Sequence, residues 1–484
     1  MPIPLIIGKE RRLKEKRINV INPSTEELLD TVSAASISDV NDVVIAAKRG
    51  FQSYKILPLS ERIELLGEAA SLIRKSKEEL ATIMSNEIGR PIKSARAEIE
   101  RTAYSFELGA SYVGKALEGR NIRLDQFIWP SGNEKRIGIT VREPIGTVLA
   151  ITPFTFPPAA AAQKIVPSLA VGNSVIIKPS GMAPLTIFKL VELLMQLSFP
   201  PGSLNFITGL SQEIGDQLVL SPGIQGVTFT GSSKVGLDIA SKSVKDGKRI
   251  VMELGSSDPF IVLEDADVKT AAKFAAFARF DYAGQYCNAG KRFFVSSEIS
   301  EEFVDRFVVE TEKLKVGDPM NEKTDIGPLI NGDAVRSFEV AIKDLNEKGG
   351  KVILGGEKIK GKGFFVSPTI VTDVTPVMKV LSEETFYPIA PIVNFKSESE
   401  MLDSVNGSDY GLDAAVFSKN FGRSFKIAKE IDAGTVLIND HTRLRWDGAP
   451  FGGVKKSGFG KESIYDSMLE LTKEKLIVTN IDNY

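Results

Sequence analysis

Residues 146–179 read GTVLAITPFTFPPAAAAQKIVPSLAVGNSVIIKP, and this stretch decides the fold. Residues 146–151 and 174–177 are short apolar runs typical of buried strands, and a helix-length segment separates them. Three further runs of this kind follow, with strand starts about 23 to 30 residues apart, at 204–208, 227–230 and 250–254. This spacing suits right-handed βαβ crossovers, so we expect a doubly wound parallel sheet that binds ligands at the carboxyl ends of its strands.

A second α/β pattern begins near residue 257. It predicts a strand at 259–263, an Ala-rich helix at 267–284 and a strand at 293–295, and similar signals continue to about residue 440. The Gly-rich segment 447–460 is expected to be a structured loop, because its two phenylalanines would be poorly placed in a flexible tether. The chain is therefore predicted to contain two α/β units.

The first ~120 residues are predicted to form a short strand followed by helices that serve to pack the fold. A strand is predicted at 18–23, followed by a helix with Ser38 as its N-cap. Ser60 is predicted to cap a longer amphipathic helix that ends near Gly89 and Pro91.

Two segments, 124–141 and 467–480, fit neither α/β unit. Both alternate crudely between apolar and polar residues. They are either peripheral strands or an arm that pairs with another subunit, since a detached ribbon is marginally stable alone.

The overall composition is that of an ordinary globular protein. The chain has 484 residues, 43% of them hydrophobic, and 60 Lys and Arg residues nearly balance 62 Asp and Glu residues. This balance disfavours a nucleic-acid partner. No run of about 18 apolar residues predicts a membrane span, and the order of the first residues is not that of a signal peptide, so we expect a cytoplasmic protein.

The chain contains one cysteine, Cys287, and one histidine, His441. A single cysteine cannot form an internal disulfide, and neither a Cys-rich nor a His-rich metal centre can be built, so no metal site is expected. Any Ser-His or Cys-His mechanism would have to use His441 alone.

Two residues are candidates for chemistry. Cys287 follows the Ala-rich helix in the segment GQYCN, which suggests a turn with the accessible backbone that thiolate chemistry needs; the alternative is a small buried hydrophobe. Glu253 ends a predicted central strand, where a partly desolvated carboxylate can act as a general base; the alternative is a salt-bridged glutamate.

Two segments are suited to binding phosphate. Residues 229–236, FTGSSKVG, follow a predicted strand and open a helix, so they offer backbone N–H groups and hydroxyls to an anion. Lys178 ends an earlier strand and could add a cation on the same edge of the sheet, although it could also be an ordinary exposed lysine. Neither segment matches a standard phosphate-binding motif.

Taken together, the chain resembles the aldehyde dehydrogenase superfamily over nearly its whole length, and within it most resembles the branch acting on glyceraldehyde or lactaldehyde. The resemblance rests on eight motifs in the family's order: NP at 22–23, TPFTFP at 152–157, KPS at 178–180, FTGS at 229–232, MELG at 252–255, GQYC at 284–287, EETF at 383–386 and PFGGVKKSG at 450–458.

The resemblance implies a division of the chain and a fold class. It implies two doubly wound α/β domains, a Rossmann-like dinucleotide-binding domain (1–123 and 142–254) and a catalytic domain (255–460), plus a small β oligomerisation arm (124–141 and 461–484). The arm is expected to join subunits into homodimers or homotetramers.

The resemblance also implies a mechanism. The Cys287 thiolate would attack the aldehyde carbon, collapse of the thiohemiacetal would pass hydride to the nicotinamide, and water activated by Glu253 would hydrolyse the thioester. Relatives complete the oxyanion hole with an Asn side chain. Thr155 stands at that position here, so we expect a shorter hydrogen-bond donor.

The resemblance further implies the cofactor residues. They are Thr152, Pro153, Phe154, Lys178, Ser180, Gly181, Gly215, Phe229, Thr230, Gly231, Ser232, Val235, Leu254, Gly255, Glu384 and Phe386. Gly181 replaces a Glu that often holds the ribose hydroxyls in NAD-preferring relatives. We therefore expect a preference for NADP, with NAD also possible. Gly215 could equally be a simple helix residue.

The substrate is assigned from the loop before Pro450. By resemblance, His441, Arg443, Arg445 and Phe451 would contact a short hydroxylated or anionic aldehyde. Glyceraldehyde or lactaldehyde is favoured, and succinate semialdehyde or glyceraldehyde 3-phosphate is the alternative. The two arginines, Arg443 and Arg445, could instead form salt bridges at a subunit boundary. A CoA-acylating dehydrogenase, a cysteine hydrolase using Cys287 with His441, and a silent binding protein are disfavoured.

Overall fold

The computed structural model describes residues 2–483 and contains the predicted doubly wound sheet. Its strands run in this spatial order: Glu10–Arg12, Leu5–Ile7, Leu204–Phe206, Ser174–Lys178, Thr147–Ile151, Gly226–Thr230, Arg249–Glu253 and Gly458–Phe459. The strands from Leu204–Phe206 to Arg249–Glu253 are parallel. The strand order reverses between Thr147–Ile151 and Gly226–Thr230, so ligands are expected beyond the carboxyl ends of these two strands.

A second, mostly parallel sheet carries the later part of the chain. Its strands run in the order Lys351–Leu354, Thr369–Thr372, Ile389–Phe395, Gly290–Ser296, Asp258–Val262, Asp413–Phe417 and Thr435–Ile438. The predicted strands at 259–263 and 293–295 belong to it. The chain thus has the expected mixed α/β architecture with two doubly wound sheets.

Helices cover both sheets and supply most of the buried apolar side chains. They are Ile37–Tyr54, Leu59–Lys75, Lys77–Ile88, Ile92–Ala116, Pro157–Ala170, Pro184–Leu194, Ser211–Leu220, Ser233–Lys245, Val268–Phe280, Ser300–Glu312, Gly332–Glu347, Lys379–Ser382, Glu398–Asn406, Phe421–Glu430 and Ile464–Glu470. Over residues 2–483, no helix is both long and apolar enough to cross a membrane.

Two predicted helix starts are wrong. The first helix is capped by Ser36 and not by Ser38, because Ser36 and Asp39 form a reciprocal capping box. The single helix predicted from Ser60 to Gly89 is two helices that meet at Ser76, and Ser60 lies inside the first of them. Gly89 ends the second helix in a left-handed conformation, with φ 73°, as its position suggested.

A small antiparallel sheet consists of Asn121–Ile122, Arg136–Pro144 and Thr472–Asn480. The last two strands pair along nine residues, from Thr472 opposite Pro144 to Asn480 opposite Arg136. Short antiparallel pairs also join Arg17–Ile21 to Leu28–Ser33 and Tyr410–Gly411 to Val454–Lys455.

The C-terminal part departs from the domain limits expected from the sequence. Gly458–Phe459, inside the expected catalytic segment, pairs with Arg249–Glu253 at the edge of the first sheet. The helix Ile464–Glu470, inside the expected arm, buries Ile464 and Met468 in the core of the first unit. Within 461–484, therefore, the extended arm strand begins only at Thr472.

Candidate active site

Two cavities meet at Cys287, beside the point where the strand order of the first sheet reverses. Pro153, Thr155, Thr230 and Cys287 line both of them. The larger cavity has a volume of about 500 Å³ and the smaller about 50 Å³. The nucleophile predicted from the sequence thus faces a long groove on one side and a small chamber on the other.

The larger cavity brings together most of the predicted cofactor residues. Its lining includes Thr152, Pro153, Phe154, Lys178, Ser180, Phe229, Thr230, Gly231, Ser232, Val235, Leu254, Glu384 and Phe386. Gly181, Gly215 and Gly255 are absent from the lining. Gly215 lies within the helix Ser211–Leu220, and a Cβ atom at Gly181 or Gly215 would meet no atom within 4 Å.

The polar groups of this cavity fit the phosphate and ribose groups of a dinucleotide. Lys178 is 5% exposed, and its Nζ donates to the Ser211 hydroxyl at 3.1 Å. Burial lowers the pKa of Lys178 to about 8, so a neighbouring anion would favour its charged form. The Thr152 hydroxyl is buried without a hydrogen-bond partner in the described part of the chain. Both groups can be satisfied by a bound phosphate or ribose.

Glu384 is tied to the segment that carries Cys287. Its Oε1 accepts from the Ser256 backbone N–H at 2.7 Å, and the Lys291 ammonium lies 3.4 Å from the same oxygen. Lys291 also donates to the Cys287 carbonyl at 2.5 Å. A Cβ atom at Gly255 would lie 2.4 Å from the Glu384 Oε2 atom, so this glycine permits the close approach of the carboxylate.

The backbone before Cys287 is in an uncommon conformation. Tyr282, Ala283 and Gly284 all have positive φ angles, of 47°, 54° and 72°. Gln285, which follows these three residues, is held by a neighbouring loop. Its side-chain amide donates to the Pro328 carbonyl at 3.2 Å and accepts from the Ile330 N–H at 2.8 Å. Such strain persists only where surrounding contacts fix it, and it often marks functional sites.

Cys287 and Glu253 line the same small cavity. Glu253 is 2% exposed, and its Oε1 lacks a hydrogen-bond partner among residues 2–483. Burial, helped by the nearby Glu462 carboxylate, raises the pKa of Glu253 to about 7. Desolvation and the Glu253 charge also raise the pKa of the Cys287 thiol, against the opposing effect of Lys291. A carboxylate with a pKa near 7 is well suited to accept a proton at neutral pH.

Buried ion pairs surround this carboxylate. The Lys164 ammonium donates to Glu462 and, at 2.7 Å, to the Thr230 hydroxyl. The Arg445 guanidinium contacts the other Glu462 oxygen at 3.0 Å and lies 4.0 Å from the centroid of the Phe451 ring. Although burial opposes it, Lys164 and Arg445 lower the pKa of Glu462 to about 2. Glu462 is thus ionised, and its charge disfavours ionisation of Glu253.

The substrate residues predicted from the sequence are only partly brought together. Arg443, Arg445 and Phe451 line the smaller cavity, with Arg101, Phe156, Ala159, Ala160, Gln163, Glu253, Asn288 and Glu462 completing the wall. His441 is not in this wall. Its ring lies 5.3 Å from the Phe274 ring and 4.9 Å from the Phe277 ring, centroid to centroid, because the loop turns it towards the Ala-rich helix. The prediction that His441 contacts substrate is therefore not supported.

Arg443 contacts both sequence neighbours of Cys287, Tyr286 and Asn288. Its guanidinium carbon lies 3.3 Å from the centroid of the Tyr286 ring, and Nη1 donates to the Asn288 side chain at 3.0 Å. Nη2 contacts Asp281 at 3.1 Å. The geometry therefore favours a salt bridge for this arginine. The pair forms within one chain and not at a subunit boundary.

Several residues of the site escape detection in the sequence. Lys164, Gln163 and Glu462 are polar residues, each at most 3% exposed, around the nucleophile. The available signal is the pair Gln163-Lys164 inside an otherwise apolar helix, since a polar pair there needs buried partners.

The comparisons with known proteins agree with this arrangement. The model of the aldehyde dehydrogenase family matches residues 10–477. A 3-sulfolactaldehyde dehydrogenase of Priestia aryabhattai is 37% identical over 477 residues, covering 99% of this chain and 98% of that protein. A lactaldehyde dehydrogenase of Methanocaldococcus jannaschii is 37% identical over 470 residues, covering 96% and 98%.

A solved structure extends the likeness to three dimensions. The NADP-dependent glyceraldehyde-3-phosphate dehydrogenase from Bacillus halodurans, in complex with NADP, is 37% identical and superposes with a TM-score of 0.95 over 99% of this chain and 100% of that one. The fold and its comparisons define an oxidoreductase with a Rossmann-type dinucleotide-binding fold. The chain belongs to the aldehyde dehydrogenase family.

Proposed function

We propose that the protein oxidises a short hydroxyaldehyde, lactaldehyde or glyceraldehyde, to its carboxylate, with NADP as the preferred cofactor. The observation that carries this proposal is the position of Cys287 at the junction of the two cavities, with Glu253 beside it. An aldehyde in the small chamber can reach the thiol while a dinucleotide occupies the groove.

In the first stage, the Cys287 thiol loses its proton to solvent and the sulfur attacks the aldehyde carbon, forming a C–S bond and a negatively charged oxygen. The Cys287 backbone N–H and the Thr155 hydroxyl are the proposed donors to that oxygen, and the presence of Thr155 in the lining of both cavities supports its role. When bound, the nicotinamide cofactor supplies the oxidising step by accepting hydride from this carbon.

In the second stage, Glu253 takes a proton from a water molecule as the water oxygen attacks the thioester carbon. The C–S bond breaks and the sulfur takes the proton that Glu253 carried, which restores both groups, while the product acid loses its own proton to solvent and leaves as the carboxylate. Burial raises the pKa of Glu253 to about 7, and the Glu462 carboxylate, which Arg445 and Lys164 hold ionised, contributes to this rise.

The NADP preference is supported by the groove around Lys178. Glu384 is the single carboxylate in its described lining, and it lies at the end that holds Cys287. Gly181 adds no negative charge next to Lys178 and Ser180. A 2′-phosphate there would meet an ammonium and hydroxyls without repulsion.

The hydroxyaldehyde is supported by the smaller cavity and by the relatives. A chamber of about 50 Å³ suits a chain of few carbons, and the two curated relatives are named for sulfolactaldehyde and lactaldehyde. Succinate semialdehyde and glyceraldehyde 3-phosphate remain the alternative substrates, because Arg101 and Arg445 line the same chamber.

Absorbance of the reduced nicotinamide tests the proposal. The purified protein is mixed with lactaldehyde, glyceraldehyde, succinate semialdehyde or glyceraldehyde 3-phosphate, and with NAD or NADP. We expect the highest kcat/KM for a neutral hydroxyaldehyde with NADP, and none in Cys287→Ala. No reduction with any pair contradicts the proposed activity, and equal kcat/KM for NAD and NADP contradicts the cofactor preference.

A further inference from the structure

The side-chain amide of Gln163 is the unexplained polar group of the smaller cavity. Gln163 lies in the helix Pro157–Ala170, is 2% exposed, and lines the chamber together with Cys287 and Glu253. Neither its Oε1 nor its Nε2 has a hydrogen-bond partner among residues 2–483. The next residue, Lys164, is fully buried but has both Glu462 and Thr230 as partners.

An amide in this position needs a partner from outside the chain. A buried amide that makes no hydrogen bond loses its hydration without compensation, so such groups are nearly always paired. The wall beside it contributes the methyl groups of Ala159 and Ala160 and the ring of Phe451. Whatever pairs with Gln163 must therefore enter the chamber, as water in the free enzyme or as a substrate group.

The arginines of the chamber are already paired with carboxylates of the chain. Arg101 forms a two-point ion pair with Asp447, through Nε at 2.9 Å and Nη2 at 2.5 Å. Arg445 pairs with Glu462, and Arg443 pairs with Asp281. Each arginine thus has its charge balanced by a carboxylate of the same chain, whereas Gln163 has both a donor and an acceptor free.

We propose that Gln163 hydrogen-bonds the hydroxyl next to the carbonyl of the bound aldehyde, and that it selects hydroxyaldehydes over their deoxy counterparts. This inference rests on the proposed function and identifies the side chain that recognises the hydroxyl of its substrate. A hydroxyl can both donate to Oε1 and accept from Nε2, so either rotamer of the amide serves. An aldehyde that lacks the hydroxyl leaves the amide unpaired, and enzymes built this way reject such analogues.

Lactaldehyde and propanal are the matched probes, because they differ only by this hydroxyl. We expect the wild type to show a higher kcat/KM for lactaldehyde. In Gln163→Met, which replaces the amide by an apolar side chain of similar length, the ratio of kcat/KM for lactaldehyde to that for propanal should fall about tenfold, as expected for one neutral hydrogen bond. The kcat/KM for propanal should stay constant or rise.

Gln196→Met makes the same replacement at an exposed position and should leave the ratio at its wild-type value. Gln163→Ala removes the amide without adding bulk and should lower the ratio as Gln163→Met does, which separates the loss of a hydrogen bond from a packing fault. Equal losses for both aldehydes, or an unchanged ratio in both Gln163 variants, would overturn the role of Gln163 while leaving the dehydrogenase activity established. A wild type that oxidises neither aldehyde would overturn the proposed function together with it.

Discussion

At the scale of single residues, Thr155 is the clearest departure from the pattern of the family. We expect Thr155→Val, which keeps the shape and removes the hydroxyl, to slow acylation about 100-fold, the range found when one oxyanion donor is lost. Single-turnover absorbance of the reduced nicotinamide measures that step. The dissociation constant for NADP, measured by fluorescence titration, should hardly change; equal turnover in the two proteins would exclude a role for the hydroxyl.

Glu253 should give the reaction its pH dependence. Its pKa is raised to about 7 by burial and by the Glu462 charge, and only the ionised form accepts a proton from water. Thioester hydrolysis should therefore rise with pH through about 7 and level off above it. The rate of the second turnover, measured by stopped flow between pH 5 and 9, checks this. A profile that is equally steep in Glu253→Gln would mean that another group titrates.

Gly181 should control the choice between the two cofactors. A Cβ atom there meets no atom within 4 Å, and its φ is not positive, so a side chain can be added without strain. Gly181→Glu should lower kcat/KM for NADP about tenfold relative to NAD, because a carboxylate repels the 2′-phosphate. Gly181→Gln, of the same size and neutral, is the control; an equal effect of both substitutions would point to size and not charge.

At the scale of elements, the strand Thr472–Asn480 is the best candidate for an interface. It lies at the edge of the small sheet, and Leu476, Ile477 and Val478 are all about half exposed. Exposed apolar edge strands are normally covered by another element or another chain. The likeness to the family favours a second copy of this chain as the partner that covers this strand. We propose that this strand joins subunits.

Replacing Leu476 and Val478 together by lysine should therefore dissociate the protein. These side chains lie on one face of the strand, because they are two residues apart. Light scattering should give the mass of a smaller species than for the wild type, with the far-UV circular dichroism unchanged. An unchanged oligomer mass, or a wild type that is already monomeric, would rule out this role.

The elements show what the sequence can predict. The five parallel strands of the eight-stranded first sheet begin and end within two residues of the predicted limits, because buried parallel strands are continuous apolar runs bounded by turns. Helix starts were harder: Ser36, Ser38 and Ser60 look alike in sequence, and only the partner of each hydroxyl distinguishes them. The structure brings most of the predicted site residues to the two cavities beside Cys287, whereas Gln163 and Glu462 are identified only from the tertiary packing that brings them there.

At the scale of the whole molecule, the segment after the second sheet connects the two halves of the site. The chain leaves the strand Thr435–Ile438, passes through the loop that carries Arg445 and Phe451, and pairs Gly458–Phe459 with the strand that ends in Glu253. The Leu254 N–H also donates to the Ser457 carbonyl at 2.9 Å. The wall of the smaller cavity is thereby attached to both sheets, beside the strand that ends in Glu253.

The central claim is that Cys287 carries the acyl group and that Glu253 removes it. Intact mass spectrometry of Glu253→Gln, mixed with lactaldehyde and NADP, tests this most directly, because the chain has a single cysteine. We predict a mass increase of one lactoyl group, mapped to the peptide that contains Cys287, and loss of this adduct on adding hydroxylamine. Stoichiometric cofactor reduction without an adduct, or an adduct that also forms in Glu253→Gln carrying Cys287→Ala, would contradict the account.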